Sequence, residues 1–185
     1  MKKTLLGIIS VAFIIMLLGF GPFKDIKNKI DEIRQPEHEK IDDARGILDK
    51  VLEHIAHIDP KLSFEDGKLL DSELGVPRFD ILPFSEIEHF NAEDIIDGYV
   101  VRPVVEVDNP RLLIVLEAVD KDASVRAQEA FEKVKSDQSK SFKDSGIWNR
   151  YLINESKRIR QGTFLIYVAW EDPNDIVKIF ERHVR

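Results

Sequence analysis

The sequence predicts an α+β domain: a small, mostly antiparallel sheet, made of a hairpin plus a C-terminal strand and covered by helices, preceded by an N-terminal membrane helix and amphipathic helices. Three observations predict it. Thr4 to Phe20 is apolar without a charge, follows Met1-Lys2-Lys3, and continues through Gly21, Pro22 and Phe23 to Lys24. Apolar residues then recur at threes and fours as far as Ile58, the period of a helix. From Tyr99 onward, β-branched and aromatic runs alternate with stretches rich in Ala, Glu and Lys, the pattern of strands and helices in one layered domain. The chain is therefore expected to divide into a membrane anchor or signal segment over 1–23, an amphipathic helical segment over 24–60 and an α+β domain over 61–185.

A helix over the first apolar stretch rises roughly 28 Å, close to the thickness of a bilayer's hydrocarbon core. Two lysines before an apolar run also make a secretory signal, and secretion after cleavage is the alternative. The cleavage rule disfavours it: at the end of the apolar run Gly19 and Gly21 are the only candidate pair of small residues, and they leave Pro22 directly after the cut. No cysteine is present for lipid attachment. The expectation is a single-pass anchor in the cell membrane through residues 4–23, with the C-terminal domain outside. Lys24, Lys27 and Lys29 dilute the orienting effect of Lys2 and Lys3.

Ile26, Ile30 and Ile33 form one apolar stripe, interrupted by Pro36. The stripe resumes with Ile41, Ala44, Leu48, Val51, Leu52 and Ile55 and stops at Ile58-Asp59-Pro60. Two broken heptads favour a helix lying on its own core over an oligomerising stalk. Leu69 to Val76 suggests a short helix ended by Gly75 and Pro77, and Phe79 to Phe84 an edge strand or packed loop. Asn91 to Asp94 caps one more turn. Tyr99 to Val107 and Leu112 to Leu116 make a hairpin, with Pro103 pushing the first strand toward an edge. A helix follows over Ala123 to Asp144, capped by Asp122 or Ser124, then a second over Ile147 to Ile159. Thr163 to Trp170 is the strongest strand signal. Asp172, as a capping residue, and Pro173 open a last helix that buries Ile176, Val177, Ile179 and Phe180. Helices are expected on one face of this sheet.

About 160 residues beyond the anchor suffice for one domain with a real core. The net charge of −7 argues against attraction of the whole molecule to nucleic acid or to anionic lipid headgroups, and no nucleic-acid partner is expected. The lack of cysteine excludes a disulfide framework, a thiol nucleophile and a thiolate zinc site. No phosphate-cradling loop, nucleophile elbow or dinucleotide fingerprint is present, and no cofactor is expected. His54 and His57 stand three apart on one helical face, the spacing two metal ligands need; with no third ligand evident, solvated surface histidines are the plainer reading. Among the 34 acidic residues, Glu106 and Glu117 lie within strand patterns and are the carboxylates best placed for acid–base work. Asp120-Lys121-Asp122 begins like a calcium loop but lacks its central glycine and closing acid. Lys157, Arg158 and Arg160 form a basic run whose plainer reading is a favourable helix end. Trp148, Tyr151, Tyr167 and Trp170 could line a groove, though aromatics beside a sheet are more often core and rim.

Several segments carry a likeness. LLDSELGV at 69–76, DIIDGYVV at 94–101, PRLLIVLEAVD at 110–120, KSDQSKSF at 135–142 and RQGTFLIYVAWED at 160–172 together resemble a family of small Gram-positive envelope proteins, many of them lipoproteins, known as a domain of unknown function. The resemblance spans about residues 69–182 and implies an extracytoplasmic location. It assigns no role to any residue, and the apolar segment stands where many members carry a lipidated cysteine. The expected function is a non-enzymatic binding or accessory protein of the bacterial cell envelope, with an envelope protein or wall component as partner. The alternative is a small envelope hydrolase or metal-dependent enzyme.

Overall fold

Two uninterrupted apolar runs, Leu112 to Leu116 and Phe164 to Trp170, lie side by side at the centre of the sheet. The structure, a computed structural model, describes residues 40–71, 76–77, 88–104 and 109–184. In chain order the elements are α1 (Ala44–Ile58), β1 (Phe64–Lys68), β2 (Leu70–Asp71), β3 (Val76–Pro77), a 3-10 turn (Ala92–Asp94), β4 (Ile95–Pro103), β5 (Leu112–Ala118), α2 (Lys121–Ser141), α3 (Ile147–Asn154), β6 (Lys157–Gln161), β7 (Phe164–Ala169) and α4 (Pro173–His183). The expected anchor over 4–23, the stripe over 26–33, the segment 79–84 and Glu106 lie outside the described residues. Among the described residues no helix is long and apolar enough to cross a membrane.

The domain is α+β, with five antiparallel strands ordered β1-β4-β5-β7-β6. Helices cover both faces of this sheet, not one. On one face α1 brings Ala44, Ile47, Leu48, Val51, Leu52 and Ile55, and α4 brings Ile176 and Phe180, against Val101, Leu113, Val115, Ile166 and Val168. On the other, α2 lays Ala127, Ala130, Phe131 and Val134 over Val100, Ile114, Leu116, Leu165 and Tyr167. Successive strand residues point to opposite faces. With both faces covered, every position of β7 is buried and the polar–apolar alternation disappears. Phe131 anchors its layer between Phe90 and Tyr167, with ring centres 5.8 and 5.7 Å away.

Local chemistry sets the element ends. Asp43 caps α1 by accepting from the Gly46 amide at 2.6 Å, and Asp120, rather than Asp122 or Ser124, caps α2 through the Ala123 amide at 2.7 Å. Asn91 caps the 3-10 turn as its type predicts. Asp172 stands at the N-cap of α4 in left-handed conformation, φ 47°, and makes no side-chain cap bond. Gly98 is required by close approach: a Cβ there would sit 3.2 Å from the Leu116 Cβ and 3.4 Å from the Leu69 Cβ.

Four expectations are corrected. Lys157 to Gln161 is the edge strand β6, paired with β7, rather than the end of a helix. The first hairpin strand, β4, is not the edge that Pro103 suggested: β1 pairs with it and forms the opposite edge. Leu70–Asp71 and Val76–Pro77 pair as a short two-stranded ribbon where a helix was expected. The first hairpin strand, Ile95–Pro103, begins four residues before its β-branched run.

Glu39–Arg185 form one compact unit, which takes α1 into the domain's core. Ile41 bridges Val184 in parallel, and Lys40 Nζ donates to the carbonyls of Arg182 and Val184 at 2.9 and 2.8 Å. The two ends of the unit therefore meet at one corner. Gln161, at the end of β6 away from Lys157, reaches the same Val184 carbonyl at 3.5 Å.

Candidate functional site

At the opposite end of the sheet β5 begins and β7 ends, because the register pairs Leu112 with Ala169. That pairing brings Arg111, one residue before β5, beside Glu171, two residues after β7. Arg111 grips Glu171 with two parallel bonds, Nε to Oε2 at 2.7 Å and Nη2 to Oε1. The fork matches the carboxylate in plane, the strongest geometry for such a pair. Asn109 fixes the approach by accepting from the Arg111 amide at 2.9 Å.

This clamp forms one wall of a pocket of about 350 Å³. The C-terminal turn of α1 contributes His54, Ile55, Ile58 and Asp59, the following loop Leu62, and the β7–α4 connection Trp170, Glu171 and Asp172, with Ile176 from α4. The volume lies within the range of small-ligand sites, and the lining has their usual make-up of apolar walls with a few polar groups. Trp170 and Ile55 are buried members of the core. Ile58 is exposed at the rim. Asp59 and Asp172 are exposed acids with no cation paired to them among the described residues. His54 is half-buried and its Nε2 is buried without a hydrogen-bond partner. Just outside, Asp175 is held below the usual carboxylate range, first by its bond to Lys178 at 2.7 Å and in small part by His54.

The structure separates the two histidines singled out by their spacing. His54 lines the pocket, whereas His57 is exposed and is not among its lining residues. Among the described residues no group of three or more His, Asp or Glu side chains is placed to hold a metal ion. Glu117 lies in β5 at the far end of the sheet, near Asp42, Asp43 and Asp97. Burial, and after it the repulsion of those acids, pushes its carboxyl above the usual range. In the same region burial, and then Asp97, pushes the Tyr99 hydroxyl up to about 12. The Tyr99 hydroxyl donates to Asp97 at 2.8 Å, and Arg45 and Lys68 lie 5.4 and 5.9 Å from its ring.

The basic run is mostly committed. Arg158 pairs with Glu132 at 2.8 Å, and Arg160 donates to the Gln128 and Ser124 side chains at 3.1 and 3.3 Å. Asp120 caps α2 through the Ala123 amide. The four aromatics do not share a groove. Tyr167 is buried under α2 and Trp170 on the α1 side, while Trp148 and Tyr151 stack on each other at the surface of α3, ring centres 5.4 Å apart. A smaller hollow of about 230 Å³ lies between the 3-10 turn and α2, lined by His89, Asp94, Arg126 and Lys133 among others. Two of its charged groups are paired: Arg126 forks onto Asp94 at 2.6 and 3.0 Å, and His89 Nε2 lies 2.6 Å from Asp137 Oδ2.

Arg111, Glu171 and Asp172 escaped the sequence reading because 60 residues separate the clamp's two partners. The only available signal was the pair of central strand runs, whose antiparallel register places the flanks of one beside the flanks of the other. No family model, curated protein or solved structure matches the chain.

Proposed function

We propose that this chain is a non-enzymatic, membrane-anchored binding protein of the bacterial cell envelope. Its domain is held outside the cell by residues 4–23, and its pocket takes an aliphatic group that carries a positive charge, such as a basic side chain of an envelope partner. The pocket carries this reading. Its walls are apolar, its arginine is already neutralised by Glu171, and two further acids, Asp59 and Asp172, stand on its rim with no cation paired to them among the described residues. A guanidinium locked to a carboxylate suits a fixed recognition surface better than a reacting group. The unpartnered His54 Nε2 offers one more polar contact to an occupant. The charge-free stretch Thr4 to Phe20 and the resemblance to envelope proteins support the location.

The binding half is tested by titrating the purified chain with straight-chain amines, alcohols and carboxylates while following tryptophan fluorescence. Each buried methylene contributes about 0.8 kcal/mol, so affinity rises about fourfold per carbon until the pocket is full. Two exposed acids add about 1 kcal/mol, so amines exceed carboxylates of equal length by roughly fivefold. Affinity independent of chain length, or a preference for carboxylates, refutes the proposed ligand class. The location half is tested by protease treatment of intact cells together with the intact mass of the membrane-bound protein. Cleavage with residues 1–23 retained supports an outward-facing anchor. Protection until lysis refutes it.

A further inference from the structure

The helix α3 presents its partners with an unusual surface. Its inward side is built by Leu152 and Ile153, both buried, and Lys135 of α2 ties down its C-terminal end by donating to the Asn154 carbonyl at 3.0 Å. At about 100° per residue, the opposite arc runs Arg150, Asn154, Ile147, Tyr151, Trp148. All five are exposed, and the three apolar members strongly so: Ile147 80%, Trp148 53% and Tyr151 50%. No acid interrupts the arc. Trp148 and Tyr151 stack nearly parallel, 19° between planes, which forms one flat aromatic surface at little further cost in side-chain freedom.

The sequence around this arc carries charge of the opposite sign to the molecule's. From Glu132 to Arg160 eight cations stand against four acids (Glu132, Asp137, Asp144 and Glu155), a net +4 in a chain of −7, with Arg158 paired to Glu132 and Lys140 to Asp137. The crowding is spatial as well as sequential. Burial first, and then the charge of Arg158, lowers the affinity of Lys135 for its proton. Trp, Tyr and an aliphatic residue ringed by Arg and Lys are the components that settle at the boundary between lipid headgroups and acyl chains. The field of the patch attracts negative headgroups, while the remaining surface, net acidic, is repelled by them.

We propose that α3 docks the domain onto an anionic bilayer surface, with Ile147, Trp148 and Tyr151 entering the headgroup boundary and Arg150 and Lys143 contacting lipid phosphates. The anchor belongs to the function proposed above, and the docking rests on it for the tether alone. The reach is sufficient: residues 24–39 span up to about 55 Å when extended, and a seven-residue strand such as β5 measures about 23 Å. Tethering supplies the bilayer at high effective concentration, so three side chains and a few cations suffice.

The full chain is reconstituted into vesicles of phosphatidylcholine alone or mixed equally with phosphatidylglycerol, with brominated acyl chains as the quencher. The chain has two tryptophans, and subtracting the signal of a Trp148→Phe variant isolates Trp148 from the buried Trp170. The expected result is at least twofold quenching of the Trp148 signal in anionic vesicles, little in neutral ones, and its loss at 1 M salt or in Arg150→Glu. Flotation with neutral vesicles reports the anchor separately. A chain that floats with neutral vesicles while Trp148 stays unquenched by anionic ones overturns the docking and leaves the anchor standing. Quenching on anionic vesicles by a chain that does not float with neutral ones supports the docking and overturns the anchor. Equal quenching in both lipids overturns the role assigned to charge, and with it the proposal.

Discussion

Tyr167→Phe removes one oxygen from the middle of the fold and tests how the pocket's foundation is held. The Tyr167 hydroxyl is fully buried and donates to Gln138 Oε1 at 2.7 Å; Gln138, also fully buried, turns its amide toward the Pro110 carbonyl at 3.5 Å. This chain runs from the central strand through α2 to the residue before Arg111. Without the hydroxyl, a buried amide oxygen loses its short bond and water cannot replace it, at a cost of roughly 1–3 kcal/mol. Taking about 2 kcal/mol, a unit of this size loses about 4–8 °C in melting temperature. Urea and thermal unfolding followed by circular dichroism give the value. The second arm is the pair Tyr167→Phe with Gln138→Leu, which removes both partners and recovers at least 1 kcal/mol relative to the sum of the single losses. A single-variant loss below 0.5 kcal/mol, or a double variant that shows no recovery, refutes the reasoning.

Four further outcomes are expected. Asp94, held low first by its bonds to Arg126, contributes stability that is present above the unfolded carboxylate pKa and disappears as pH falls through the lower folded value; Arg126→Gln removes that acid-sensitive limb from a plot of melting temperature against pH. Glu117 has the opposite sign: its folded pKa is raised, so stability falls as pH rises through the window between the unfolded and folded values, and Glu117→Gln raises the melting temperature at pH 7 but not below pH 4. Asp172→Gly relieves a left-handed backbone and stabilises by about 1 kcal/mol in urea unfolding, while lowering amine affinity in the fluorescence titration. Gly98→Ala forces apart Leu116 and Leu69 and destabilises by about 1–3 kcal/mol, read in the same unfolding assay.

Helices α1, α2 and α4 were legible in the sequence because each shows its period: α1 ends at Ile58 where Pro60 forbids continuation, and α4 starts at Pro173. The central strands were legible too, but their lesson was only half taken. Unbroken runs such as Leu112 to Leu116 belong to strands covered on both faces, and an antiparallel arrangement led instead to the expectation of one open face. The edge strands were hidden by the chemistry that protects them. β6 is Lys-Arg-Ile-Arg-Gln and β1 is Phe-Glu-Asp-Gly-Lys, each with a single apolar side chain, the composition that discourages pairing with another chain. Of the pocket, only His54 could be found from spacing. The Arg111–Glu171 clamp exists through strand register, a long-range property that no local window contains.

The corner where Ile41 meets Val184 decides how the domain carries tension. A pull on residue 40 enters the fold there, whereas an occupant of the pocket grips the other end of the sheet. The load runs along α1 and the strands, at right angles to the interstrand hydrogen bonds. Those bonds are then sheared as a group instead of being peeled one after another. Force applied between residues 41 and 184 would open the corner bond by bond, beginning with the 2.8 Å contact from the Ile41 amide to the His183 carbonyl. The same domain is thus mechanically firm between residue 40 and the pocket and weak between residues 41 and 184.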